Sequence, residues 1–295
     1  MSRPPIVDHV GSPFRHFRER INGVDLHVAM AGSGAPVYLV HGCPKTMASW
    51  RHLAPYLTAH HTVVLHDTRG FGDSERPLAG YDTHTLADDV AALATRLDHP
   101  QFSLVGEDWG AAVAYTVAAS HRDRVLQLVF QEMRLPGLSP DPDTDEVSPD
   151  DTRTGWHFSF FAVPGYPELL IPGRERAFWT QFVRRQAHDV SAVLEEDLDE
   201  IVAGVSRPGG LHAVLSLYRA HQIDAEQNRK HLTQRLHVPV LAVGGASYLG
   251  DEVRRHMEQA AHQVQGLVLP ATGHHPALEV PRLLAEHLLA FFDQA

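Results

Sequence analysis

The sequence predicts an α/β protein: a mainly parallel sheet with helices on both faces, interrupted by an inserted α-helical cap. Three observations predict it. Short apolar runs alternate with helically spaced apolar residues along most of the chain. The alternation stops between residues 136 and 236, where only helical patterning remains. And the run Phe102 to Val105 passes through Gly106-Glu107-Asp108-Trp109-Gly110 directly into the Ala-rich stretch Ala111 to Ala119, a strand turning abruptly into a helix.

Taken in order, Phe14 to Val28 reads as two strands around Asn22-Gly23, a pair suited to a tight hairpin turn. Strand-length apolar runs follow at Val37 to Val40, Thr62 to Leu65, Phe102 to Val105 and Val125 to Phe130, then at Pro239 to Val243 and Gly266 to Leu269. Helical spacing covers Met47 to Leu57, Thr83 to Leu97, Ala111 to His121, Glu252 to His262 and Pro276 to Phe292. Such alternation builds a parallel sheet buried on both sides, whose strand ends along one edge carry the chemistry. The expected organisation is a core of residues 1–135 and 237–295 with a cap of 136–236. Pro136 to Asp151, rich in Pro, Asp and Ser, reads as a mobile surface connection into the cap.

Bulk properties exclude several classes. With 25 basic and 36 acidic residues the chain carries a net charge of −11, which disfavours nucleic acid and anionic membranes as partners. No stretch is long and apolar enough to span a bilayer. Cys43 is the only cysteine, so no intramolecular disulfide forms, and the first residues lack an apolar signal region. A reducing cytoplasm is the expected location. The oligomeric state stays open, a homodimer included.

The turn at Asp108 is a nucleophile elbow with a carboxylate in place of serine, its flanking glycines permitting strained backbone and close strand–helix packing. A carboxylate held there attacks saturated carbon, opening a strained ring or displacing a leaving group, and the resulting ester must then be hydrolysed. His41-Gly42-Cys43-Pro44 follows the Val37 to Val40 strand. The backbone N–H of Cys43, with that of Trp109, is placed to form an oxyanion hole. A nucleophilic Cys43 thiol is the rival reading, but apart from Lys45 nothing local would make it a thiolate. His274, in Gly273-His274-His275 after the last strand, is the candidate base; His275 is a supporting or helix-start residue. The loop after Pro239 to Val243 reads Gly244-Gly245-Ala246-Ser247, without an acid. Glu132, at the end of the preceding strand, fills that role, with Asp251 the alternative.

The order Asp108, Glu132, His274, with H-G-x-P and G-x-D-W-G, resembles the α/β-hydrolase-fold epoxide hydrolases over nearly the whole chain. Trp156-His157-Phe158-Ser159-Phe160-Phe161 and Leu217-Tyr218-Arg219-Ala220 are most similar to the bacterial Cif-type members, which pair a cap His with a cap Tyr. The resemblance implies that His157 and Tyr218 hydrogen-bond the epoxide oxygen, that the substrate is a small-molecule epoxide, and that no metal or organic cofactor takes part. His41, Trp156 and Phe158 are expected to wall the pocket, with Trp109. Glu107 stands where the family commonly has a histidine, and Cys43 where it has an aromatic. The run Asp67 to Ser74 resembles the family's structural loop supporting the sheet edge. A haloacetate dehalogenase uses the same aspartate chemistry but places arginines just after the nucleophile, where this chain has Trp109, Gly110, Ala111, Ala112 and Val113. A non-catalytic receptor on this fold is a further alternative, disfavoured because it has no need of Asp108, Glu132 and His274 together.

Overall fold

The structure is a computed structural model and describes residues 5–138 and 155–294. Eight strands, β1 (Arg15–Ile21), β2 (Val24–Ala31), β3 (Pro36–Val40), β4 (Thr62–His66), β5 (Phe102–Glu107), β6 (Val125–Gln131), β7 (Val240–Gly245) and β8 (Val264–Leu269), form one sheet in the order β1-β2-β4-β3-β5-β6-β7-β8. β1, β2 and β4 pair antiparallel; every other neighbouring pair is parallel. The antiparallel start follows from the turn at Asn22-Gly23, where both residues take positive φ and so match a tight hairpin.

The helices are α1 (Ala54–Leu57), α2 (Thr83–Arg96), α3 (Trp109–Ser120), α4 (Trp156–Ala162), α5 (Tyr166–Leu170), α6 (Glu175–Gln186), α7 (Glu195–Ser206), α8 (Gly210–Arg219), α9 (His221–His231), α10 (Glu252–Ala260), α11 (Pro276–Glu279) and α12 (Pro281–Phe292). Side chains alternate across the sheet, so Leu104, Leu128 and Phe130 join one buried layer while Val105 and Val129 join the other. α4 to α9 all fall between β6 and β7, and among the described residues of that stretch no strand joins the sheet. Most of Pro136 to Asp151 lies outside the described residues.

Two expected helices are broken, each at a proline. Met47 to Leu57 divides into a 3-10 turn, Met47–Trp50, and α1, because Pro55 has no N–H to continue the first turn and instead starts the second. Pro281 likewise separates α11 from α12. The last strand begins two residues earlier than its apolar run, at Val264.

Register brings the site together. Val40 lies opposite Gly106, Glu107 opposite Gln131, and Gln131 opposite Val243. The residues that follow the first three strand ends, His41, Asp108 and Glu132, therefore emerge at one edge of the sheet, beside Gly244 and Gly245 at the end of β7.

Candidate active site

Asp108 sits between β5 and α3 with φ +57° and ψ −132°, a backbone conformation that L-residues rarely adopt. Close packing makes the turn possible. A Cβ on Gly106 would come within 2.3 Å of Gly110 O, and one on Gly110 within 2.1 Å of Val40 O. Asp108 N–H donates to Gln131 O at 3.0 Å, which ties the elbow to the end of β6.

One carboxylate oxygen, Oδ1, accepts the N–H of Cys43 at 2.8 Å; the Trp109 N–H also donates to this carboxylate. The other, Oδ2, faces Nε2 of His274 at 3.2 Å. Nδ1 of His274 meets Oε2 of Glu132 at 3.1 Å, and the second oxygen of Glu132 accepts the Gly245 N–H. Asp251 is exposed and pairs with Arg254, so the carboxylate on His274 Nδ1 is that of Glu132.

Burial pushes the Asp108 carboxyl up, but the hydrogen bond and charge of His274 outweigh it and the group titrates below its usual range. Burial lowers His274, and the two carboxylates overcome this to hold its imidazolium above the ordinary histidine value. For Glu132 burial wins, leaving it raised. Burial, reinforced by Asp108, keeps the Cys43 thiol well above its normal value, so Cys43 offers its N–H rather than a thiolate.

α4 and α8 cover this edge. A narrow pocket, with about 20 Å³ open to water-sized molecules, is lined by Asp108, Glu132, His157, Phe158, Tyr248 and His274, among others. Tyr218 stands edge-on to Trp109, centroids 5.4 Å apart, and edge-on to His157 at 5.5 Å. Burial raises its hydroxyl well above the usual tyrosine value, with Cys43 and Asp108 adding to it, so the phenol stays protonated. Burial pushes His157 down to about 4, and its Nδ1 has no hydrogen-bond partner. Both side chains are neutral donors at physiological pH.

Two expected wall residues are placed elsewhere. The His41 ring is held inside the loop, Nδ1 at 2.9 Å from Gly42 O and Nε2 accepting the Thr68 N–H at 3.1 Å. Trp156 is 39% exposed and lines a separate cavity with Phe178, Phe182 and Arg185. Both corrections have one cause: on a loop and on an exposed helix start, sequence proximity to site residues does not set side-chain direction.

Several neighbours escape sequence reasoning. Tyr248 packs on His274 with ring centroids 4.5 Å apart; its place in the loop after β7 was the available signal. Glu279 accepts the N–H groups of Gly273, His275 and His188 and so shapes the turn that presents His274. That turn is fastened to α6: His274 N–H donates to Gln186 O at 2.9 Å, and His275 Nε2 lies 3.0 Å from Val183 O. Glu107 forms a fully buried ion pair with Lys45, which balances the charge it brings to the elbow.

The loop after β4 is structural. Asp67 accepts the N–H groups of Met47 and Asp73, and Arg69 makes a two-pronged pair with Asp89. His27, Asp67 and Asp73 bring donor atoms within 4.8 Å of one another, the one such group among the described residues, but backbone N–H groups and Arg207 already engage the two carboxylates. Among the described residues no helix is long and apolar enough to cross a membrane.

A family profile described as the alpha/beta hydrolase fold matches residues 35–281. A soluble epoxide hydrolase of Corynebacterium sp. (strain C12) is 32% identical, across 94% of this chain and 96% of that one. A fluoroacetate dehalogenase of Burkholderia sp. is 29% identical, over 80% of each chain. Among solved structures, wild-type Cfl2 from Burkholderia cenocepacia superposes with a TM-score of 0.92 at 34% identity, covering 99% of this chain and 100% of that one.

Proposed function

This chain belongs to the α/β-hydrolase family and is a hydrolase of the epoxide hydrolase type, and from that premise we propose that it opens an epoxide to a vicinal diol through an ester on Asp108. The observation that carries the reading is the division of labour on one carboxylate: Oδ1 is held by Cys43 N–H while Oδ2 faces His274 backed by Glu132.

Oδ2 attacks an epoxide carbon. The carbon–oxygen bond of the ring breaks, and the departing oxygen takes its proton from the Tyr218 hydroxyl with His157 as second donor. The product is a hydroxyalkyl ester whose carbonyl oxygen, Oδ1, already lies in the oxyanion hole. His274 Nε2 then takes a proton from water, and the hydroxide adds to the carboxyl carbon. Negative charge collects on Oδ1 opposite the N–H groups of Cys43 and Trp109, and Glu132 stabilises the imidazolium. Collapse breaks the bond between the carboxyl carbon and Oδ2, the diol leaves on that oxygen with the proton from His274, and the proton of the added hydroxide returns through solvent to the Tyr218 phenolate, restoring both the carboxylate and the phenol. We read residues 136–236 as a cap domain on a core of 1–135 and 237–295, because it supplies His157 and Tyr218.

The dehalogenase relative supports a second reading, halide displacement by the same Asp108. The buried apolar run Trp109 to Val113 disfavours it, since it offers no cation for a haloacid carboxylate.

His274→Gln tests the proposal. Ring opening survives and water activation does not, so the ester accumulates. Intact mass after incubation with a reactive epoxide should rise by the whole substrate mass, on the peptide containing Asp108. A gain lacking hydrogen halide, seen with a haloacid, would favour the second reading. In wild type, one turnover in heavy-oxygen water should label Asp108 and leave the first diol unlabelled; label in that first diol removes Asp108 as nucleophile.

A further inference from the structure

Lys45 and Glu107 are each only 2% exposed, and the ammonium hydrogen-bonds Oε1 of Glu107. Their positions in the chain give the pair its meaning. Lys45 lies two residues beyond Cys43, on the loop that aims an N–H at Asp108 Oδ1, and its own N–H closes the turn on Gly42 O at 3.0 Å. Glu107 directly precedes Asp108. The pair therefore joins the oxyanion loop to the elbow across a separation of 62 residues.

Burying two charges is costly, and an apolar pair of similar volume would pack at least as well, so fold stability alone does not account for it. The surroundings indicate another role. The charges of Asp108, Glu279 and Glu132 act on the ammonium, and His275, pushed down chiefly by burial, is lowered further by Lys45. A fixed cation beside these groups favours every state in which the Asp108 carboxyl carries negative charge: the resting carboxylate and the tetrahedral oxyanion, but not the neutral ester between them.

We infer that Lys45 is a positioning and charge-balancing residue for the second half-reaction, with Glu107 as the clamp that holds it: the pair stabilises the oxyanion of ester hydrolysis and does not assist ring opening. This rests on the Asp108 ester reading. Burial lowers Lys45 to about 8, against the carboxylates around it. Ester hydrolysis therefore weakens as pH rises through that region and the ammonium is lost, while ring opening does not.

Rapid mixing with a chromogenic epoxide, followed by quench and mass spectrometry, measures the two steps separately. In Lys45→Met, ester hydrolysis should slow by roughly a hundredfold, the low end of what one oxyanion-stabilising group contributes, with ring opening within about threefold of wild type. The wild-type pH profile of ester decay should fall on the alkaline side, Lys45→Arg should remove that fall, and Glu107→Gln should move it to lower pH. The double variant Lys45→Met/Glu107→Gln leaves no unpaired buried charge and should show the same slow hydrolysis. Wild-type hydrolysis in the double variant, or an alkaline limb unchanged by Lys45→Arg, overturns the inference. If His274→Gln accumulates no ester, the Asp108 reading itself fails; if it does and Lys45→Met hydrolyses at the wild-type rate, only the role of the pair fails.

Discussion

Glu132 carries its carboxylate to within 3.1 Å of His274 Nδ1 from a backbone held at φ +50°, just past the end of β6. Its N–H donates to Val243 O, and its second oxygen receives the Gly245 N–H, so β7 fixes both ends of the residue. These ties leave Oε2 aimed at the imidazole.

Glu132→Gln should consequently leave the ring-opening burst near wild type and slow ester hydrolysis by about 10²- to 10⁴-fold, since the amide neither fixes the tautomer nor stabilises the imidazolium. Asp251→Asn should change neither step. Pre-steady-state traces of both variants check this, and the reverse pattern would transfer the acid role to Asp251.

Tyr218→Phe removes one hydroxyl from a ring packed edge-on against Trp109 and His157. The ring contacts remain, so the melting temperature should hold. Ring opening should slow by a barrier increase on the order of 3 kcal/mol, the scale of one lost donor to a developing oxyanion. An unchanged burst rate would place the donor elsewhere.

Acid should unfold the protein early. His66 has no hydrogen-bond partner on either ring nitrogen and burial pushes it down to about 3; His157 is pushed down to about 4. Between those values and about 6.5, where an unfolded histidine titrates, the unfolded chain binds more protons. Stability is therefore full above pH 6.5 and is lost as pH falls, by up to about 1.4 kcal/mol per pH unit for each histidine. Asp224, raised by burial to about 7, acts in the opposite sense over the same range and offsets one of them. Urea midpoints measured from pH 7 to 5 should decline, and His66→Met should flatten the decline.

Arg69 and Asp89 meet through two hydrogen bonds of 2.6 Å, both side chains nearly inaccessible, and Asn22 Nδ2 donates to Asp89 as well. Arg69→Met leaves a buried carboxylate short of its cation. The expected loss is about 3–5 kcal/mol in chemical denaturation, with the activity of the folded fraction retained.

What the sequence discloses about this fold depends on whether the cause is local. The elbow is legible because an apolar run, two glycines and an alanine-rich helix are consecutive, and Glu132 because it is the acid next to a recognisable strand end. Lys45 and Glu107 are not legible as partners: 62 residues separate them, and only the register of β3 on β5 brings their loops together. Tyr248 and Glu279 act through the tertiary shape of two turns, which composition does not encode. Trp156 and His41 show the converse, residues of the right type in the right stretch whose side chains the local backbone turns to other tasks.

The fastening of the His274 turn to α6 ties two parts of the chain into one support. Because His274 N–H and the His275 ring are both held by carbonyls of that helix, at Gln186 and Val183, the stance of the imidazole against Asp108 is set from the stretch between β6 and β7 as well as from the sheet: the insertion is part of the scaffold that aims it.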